Sequence, residues 1–432
     1  MNYNTLTPTE KNIKKAQNFA TGHFTTSGEV YNIAIINSGT TADCLLSNVV
    51  AGIKQGGAIP LVFNLPGFGF LNKINPAVAK YAQSTSMVIA ANTEAIIKTN
   101  IIDGVVVVSD CDITTAGVLS GCLKCNCPVL VVPNGVNPSF DVDFLKLNGR
   151  AVVNATEIDG QLEKASLLEG IQENSTTHTF FKAIEGFGLA LKTASANIYL
   201  SGKQIALAQK TGKKIVEYAK DLNGPRRLLT KDALMVVAKK IFSDGGAEGF
   251  CGFMPIISLL IQNGNKIPHD FFIDIAKKLP NFPLILLRGS ACEDGGYAIA
   301  KDNLNFSGKA WVYHTLEDAD KAISSGAINE GVIVLQNCVG QNVSCILYAI
   351  EGMEKQSQIA VVTDGLVEPS SVLAIVNCRP ASNENGDFAN IQTGDIIELD
   401  LAKGRFNTSI SAKDMKARAK RNSVKEQPKY FL

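Results

Sequence analysis

Short apolar runs rich in β-branched residues mark the first part of the chain: YNIAIINS (31–38), AIPLVFN (58–64), GVVVVSD (104–110), CPVLVVP (127–133) and RAVVNAT (150–156). Their apolar positions are consecutive rather than alternating, so they read as strands buried on both faces. Helical patterns fall between them, among them Cys44–Lys54 and Asn75–Thr99. Strand, helix and strand at this spacing predict a mostly parallel sheet covered by helices.

From about 160 to 283 the pattern turns helical. In TKDALMVVAKKIFSDGG, Leu234, Val237, Ala238 and Ile241 repeat at i, i+3, i+4 and i+7, which makes one apolar face. Thr230 is placed to accept N–H groups of the first turn, Asp232 lies at the favourable end of the helix dipole, and Gly245-Gly246 ends the run. After LPNFP the period shortens again. LILLRGS, AWVYHT, GVIVLQN, QIAVVTD, VLAIVN and DIIELDL are strand-like, with one clear helix at Leu316–Ser325. The expectation is an α/β fold. An N-terminal α/β domain (1–283) combines a mostly parallel sheet with a helical second half, and a C-terminal domain (284–432) resembles a β-barrel.

Composition narrows the function classes. The 41 Lys and Arg against 40 Asp and Glu leave no field to attract nucleic acid or an acidic membrane. Only the tail KDMKARAKRNSVK is clearly basic, as expected for a solvated terminus. The opening MNYNTLTPTEKNIKKAQ has no apolar core, and no run reaches the roughly 18 apolar residues that span a bilayer. A cytoplasmic protein is expected, with its ten cysteines as thiols or metal ligands.

Chemistry in α/β sheets collects where parallel strands end. Three ends carry polar residues: Asn37-Ser38, Asn64 before LPGFG, and Asp110-Cys111-Asp112. A cysteine there is either a ligand or nucleophile, or a packed residue beside a helix cap made by Asp112 or Thr114. Cys122, Cys125 and Cys127 form a C-x2-C-x-C group. The histidines are scattered and no second metal half-site exists, so core thiols are the simpler reading. NLPGFGF lacks the Lys-Ser/Thr of a phosphate loop and reads as a tight turn. In RGSACEDGGYAIAK (288–301), a plain turn and anion binding by backbone N–H groups stand level.

The segment SDCDITTAGVLSGCLKCNCPVLVV resembles the Asn-Cys-Asp-Lys-x-x-x-Gly region of the dihydroxy-acid and sugar-acid dehydratases, which include 6-phosphogluconate dehydratase. IAIINSGTTADC, GFGLALKTASANIYLSGKQIALAQKTGKKIVE, RRLLTKDALMVVAKKIFSDGG, LILLRGSACEDGGYAIAK, GKAWVYHTLEDADKAI and IAVVTDGLVEPSS are similar to further family segments in the same order, covering most of 31–420. The resemblance implies removal of water from 2,3-dihydroxy acids to give 2-keto acids. It also implies an iron–sulfur cluster as Lewis acid, a Mg²⁺ ion, a serine alkoxide as base, and assembly as a homodimer or larger.

Carried over residue by residue, the resemblance keeps part of that equipment. Cys44 and Cys111 fall at two cluster positions, and the third falls near Ile171. Asp112 matches a Mg²⁺ ligand, whereas the modified lysine beside it is Ile113. An acidic pair falls on Gly69 and Phe70, a metal-binding glutamate on Asn337, and the Ser-Thr-Asn loop on Ala247-Glu248-Gly249. The catalytic serine aligns with Glu368, although Asp364-Gly365 before it is retained.

Two function classes follow. One is altered lyase chemistry on a small carboxylate, with Glu368 as base, Cys44 and Cys111 as a remnant cluster or other metal site, Asp112 as metal ligand, and no Mg²⁺ expected. These residues would meet at the domain interface. Asn37, Ser38, Gly289, Ser290, Asp364 and Gly365 are the expected substrate contacts. The other class is a non-catalytic paralogue that binds a small molecule or regulates an active relative.

Overall fold

The computed structural model describes residues 6–20, 22, 30–38, 43–65, 68–69, 73–139, 146, 170–244, 246–279, 284–299, 305–384 and 386–422. The expected strand at 150–156 lies outside them. The chain forms two compact units. One is drawn from Met1–Phe70, Ala82–Asp141 and Ser166–Ile267, the other from Leu71–Tyr81, Val142–Ala165 and Pro268–Leu432.

In the first unit, strands β1 (Asn32–Ser38), β2 (Ile59–Leu65), β3 (Gly104–Ser109) and β4 (Val129–Pro133) form a parallel sheet in the order β2-β1-β3-β4. β1 and β3 are buried throughout, as their unbroken apolar runs require. β2 is different. It lies at the sheet edge, its burial alternates and Val62 is exposed, so the expectation of burial on both faces fails there. Apolarity in a short run does not by itself distinguish a central strand from an edge strand. A two-residue pair, β5 (Val136–Asn137) with β6 (Ile171–Gln172), completes the strands described in this unit.

Helices Asp43–Gln55 and Gly202–Lys220 pack with the sheet around Ile33, Ile35, Val106, Val108, Leu130 and Val132. The two helices meet at glycines. A Cβ on Gly52 would lie 1.9 Å from the Gln209 carbonyl oxygen, and one on Gly212 would lie 2.3 Å from that of Val49. Backbone against backbone at this distance admits hydrogen only. The Asp112–Cys125 helix is buried along nearly its whole length, so its lack of an amphipathic stripe reflects enclosure. Thr230 caps the Lys231–Ser243 helix by accepting from the Ala233 N–H, as its sequence indicates.

In the second unit, β7 (Leu284–Gly289), β8 (Cys292–Ile299), β9 (Asn305–Tyr313), β10 (Gly331–Leu335), β11 (Ile359–Thr363), β12 (Ala374–Arg379), β13 (Ile396–Asp400) and β14 (Arg405–Thr408) close into a barrel. The order is β10-β11-β12-β8-β7-β14-β13-β9. RGSACEDGGYAI, residues 288–299, lies in the β7–β8 hairpin, and β14 has no counterpart in the apolar pattern. The barrel is mixed, because β9, β10, β11 and β12 run parallel. Helices Leu316–Ser324 and Ser344–Gly352 lie between successive strands of that run. The second helix escapes sequence reading because CILYAI is apolar all round and fully buried. Leu287, Ala298, Val332, Val334, Val362, Ile375, Phe388, Leu399 and Phe406 belong to one core.

Overpacking a close contact costs about 1–3 kcal/mol. Gly212→Ala should therefore lower stability by about that amount in urea unfolding. Gly202→Ala, with nothing near its Cβ, should be neutral or slightly stabilising.

Candidate functional site

The carboxyl ends of the parallel strands in the first unit are tied by short polar contacts. Asn37 Nδ2 donates to Asn64 Oδ1 at 3.1 Å, joining β1 to β2. Ser38 Oγ donates to Ser109 Oγ at 3.1 Å, joining β1 to β3, and Ser109 Oγ accepts from the Cys111 N–H at 3.1 Å. Asn37 Oδ1 is buried with no hydrogen-bond partner among the described residues. It is an acceptor that a donor on a ligand would satisfy.

Cys111 is the N-cap residue of the Asp112–Cys125 helix, with extended backbone and no side-chain capping bond. Its thiol donates to the Phe68 carbonyl and sits in a small apolar cluster with Phe68 and Ala82. The buried Asp112 carboxylate accepts from the Ile113 N–H at 3.1 Å. This places negative charge at the positive end of the helix. Thr114 accepts from the Phe68 N–H at 3.4 Å and is not the cap. Cys44, half-buried near the start of the Asp43–Gln55 helix, packs against the sheet core. None of the ten cysteines is in a disulfide. Burial pushes Cys122 well up and Cys127 up to about 12, so these thiols resist becoming ligands.

In the second unit the expected residues divide by role. The buried Asp364 accepts from the Cys338 N–H at 2.8 Å through Oδ1 and from the Ser382 N–H at 3.0 Å through Oδ2. It thereby holds together the segments that follow β10 and β12. Gly365 packs so closely that a Cβ would lie 2.9 Å from the Cys338 carbonyl oxygen. Gly289 and Ser290 form the β7–β8 turn, where the Ser290 N–H donates to Asn407 Oδ1 at 3.1 Å. Asn337 takes a left-handed backbone conformation (φ 63°) just beyond β10 and lies 3.4 Å from His314 Nδ1.

Glu368 has the most developed surroundings. Lys73 Nζ lies 2.8 Å from Glu368 Oε1, and the two side chains are 5% and 1% exposed. Asn342 Nδ2 donates to the same oxygen at 3.0 Å, and the Glu368 N–H donates to Ser344 Oγ at 2.5 Å. Burial pushes the Tyr348 phenol well up, with the negative charge of Glu368 adding to it. Lys73, Asn342 and Ser344 were missed by sequence reasoning. The contact spans 295 positions, and its sole local sign is a lone lysine among apolar residues in GFGFLNKI.

Two family models match, the dihydroxy-acid/6-phosphogluconate dehydratase N-terminal domain over residues 32–247 and its C-terminal domain over 280–431. The chain belongs to this dehydratase family. The dihydroxy-acid dehydratase of Thermodesulfovibrio yellowstonii is 23% identical over 85% of this chain and 84% of the relative. That of Ruminiclostridium cellulolyticum is 23% identical over 86% and 84%, and that of Archaeoglobus fulgidus 21% over 92% and 89%. Similarity thus runs along both domains rather than one.

Among the described residues, the donor set does not fit the cluster and ion that the family resemblance implies. Among the described residues, no three His, Cys, Asp or Glu side chains are gathered to hold a metal. Ile171 is a buried strand residue, and the Cys111 thiol is turned to a carbonyl.

The buried His178 is structural. His178 Nδ1 accepts from the Asn174 N–H, so the proton sits on Nε2, 3.1 Å from the Ser195 carbonyl oxygen. Burial lowers its pKa from 6.5 to about 4. The unfolded chain therefore takes up this proton first as pH falls, and the stability from the neutral ring, complete above pH 6.5, is lost toward pH 4. Unfolding free energy should drop by about 2 kcal/mol from this group between pH 7 and 5, and His178→Asn should remove that part of the slope. Breaking the buried ion pair by Lys73→Met should cost about 3–5 kcal/mol, while Lys73→Met with Glu368→Gln should recover much of the loss. Equal losses in the single and double variants would refute that coupling.

Proposed function

We propose that this chain carries out proton-transfer chemistry of the lyase type on a small carboxylate, without the family's cluster and Mg²⁺, and with Glu368 as the proton carrier. The observation that supports this reading is the Lys73–Glu368 contact at 2.8 Å, at the position where the resemblance puts the catalytic serine. A carboxylate in place of a hydroxyl needs no metal-assisted deprotonation to act as a base. The adjacent ammonium supplies the positive charge that stabilises a developing anion. In the first unit, Asn37 Oδ1, without a hydrogen-bond partner among the described residues, is suited to a hydroxyl donor on a ligand.

The enclosure of Glu368, 1% exposed and held by both Lys73 and Asn342, favours a second reading, a non-catalytic binder of the same ligand class. Its mark is a thermal shift with a carboxylate and no product.

One experiment separates these readings from each other and from ordinary family chemistry. Protein purified without air is analysed for iron, sulfide, zinc and magnesium. It is then incubated with a panel of 2-hydroxy, 2,3-dihydroxy and sugar acids, with and without EDTA. The expected result is EDTA-insensitive turnover that falls on the order of 10²-fold or more in Glu368→Gln. Stoichiometric iron and sulfide with metal-dependent dehydration, or an unchanged rate in Glu368→Gln, would overturn the proposal. Absence of turnover on the whole panel, with a thermal shift, would leave the binder.

A further inference from the structure

Lysine amines held beside a buried carboxylate are suited to a second kind of chemistry. Lys73 and Glu368 are both withdrawn from water and share a short hydrogen bond. In such surroundings a proton can pass from Nζ to Oε1 with no change in the pair's net charge. This converts a salt bridge into a neutral amine beside a carboxylic acid. The neutral amine is a nucleophile toward carbonyl carbon, and the acid is a proton donor in contact with it. Asn342 Nδ2, 3.0 Å from the same oxygen, keeps the carboxyl oriented through the exchange. Asn342 is itself fixed, since its Oδ1 accepts from the Ser344 N–H at 2.9 Å and Ser344 Oγ accepts from the Glu368 N–H. Lys73, Glu368, Asn342 and Ser344 all belong to the second unit.

We infer that Lys73 forms an imine with a small 2-keto acid, with Glu368 as the shuttle for the protons involved. This rests on the small-carboxylate reading above and names the reacting group of that ligand. The lone pair of Nζ attacks the keto carbon, and a C–N bond forms while the C=O π pair moves to oxygen. That oxygen takes the proton held by Glu368. The carboxylate then removes a proton from nitrogen and returns it to the hydroxyl. The hydroxyl leaves as water and a protonated imine remains opposite the Glu368 carboxylate. The sum is an ammonium and a ketone giving an iminium and water, with no oxidant or reductant consumed. An iminium withdraws electrons from the adjacent carbon, so the same Glu368 is then placed to take a proton there.

The test uses the full chain, pyruvate as probe and sodium cyanoborohydride to reduce the imine, read by intact mass and peptide mapping. One reduced pyruvate adduct per chain on the peptide carrying Lys73 is expected. It should be lost in Lys73→Arg, which keeps the charge and the ion pair, and should form on the order of 10²-fold more slowly in Glu368→Gln. Thermal melts of both variants check that they fold. If Lys73→Arg fails to fold, mapping of the unaltered chain still decides. Adducts confined to exposed lysines, or none at all, would overturn the inference. Lack of an adduct alongside EDTA-insensitive turnover that needs Glu368 would remove the imine and leave the proposed function standing. Metal-dependent dehydration would remove the proposed function, whatever the adduct result.

Discussion

An ammonium and a carboxylate taken out of water survive in a fold only as partners, and the Lys73–Glu368 pair sets that condition for the second unit. Desolvating either charge alone costs several kcal/mol, so each holds the other in place. The pair secures the short segment around Lys73 to the strand ends of the barrel, across 295 positions of sequence. It also explains why the polar groups around it are so fully committed. Asn342 and Ser344 orient Glu368 by side chain and backbone, while Asp364, four residues earlier, spends both oxygens on the N–H groups of Cys338 and Ser382. A similar arrangement anchors the first unit. Lys14 Nζ lies 2.6 Å from Asp103 Oδ2, with both side chains almost fully buried, and ties the Pro8–Ala20 helix to the start of β3.

Both units put their polar residues where parallel strands end, for the same physical reason. Between paired strands the N–H and C=O groups satisfy one another, and at the carboxyl ends the backbone turns away and leaves groups for side chains to satisfy. The first unit uses Asn37–Asn64 and Ser38–Ser109 to close that edge. The second uses Asp364 and the Glu368 network. In this family member the donors at these edges serve first to knit the chain together. The Cys111 thiol bonds to a backbone carbonyl, and Asp112 neutralises a helix end. The Lys73–Glu368 pair differs from these in being two opposite charges in contact and almost fully buried.

The sequence alone determined the class of each half. Consecutive β-branched runs in NIAIINS and GVVVVS predict burial on both faces, and β1 and β3 are buried throughout in the parallel sheet. The Thr230 cap and the i, i+3, i+4 face after it are local properties of contiguous residues, readable before any folding. The resemblance carried by SDCDITTAG and IAVVTDGLVEPSS was legible because those segments are contiguous, and it marked Glu368 and Ile113 as departures while Asp112 kept its match. Tertiary structure decided what depends on neighbours distant in sequence. That β2 is an edge strand follows from pairing order, and that CILYAI is a helix follows from enclosure. Lys73 as the partner of Glu368 follows from the cost of burying charge. Local pattern carries no information about which distant group will share a dry environment, and that sharing is what pairs a lone lysine with Glu368.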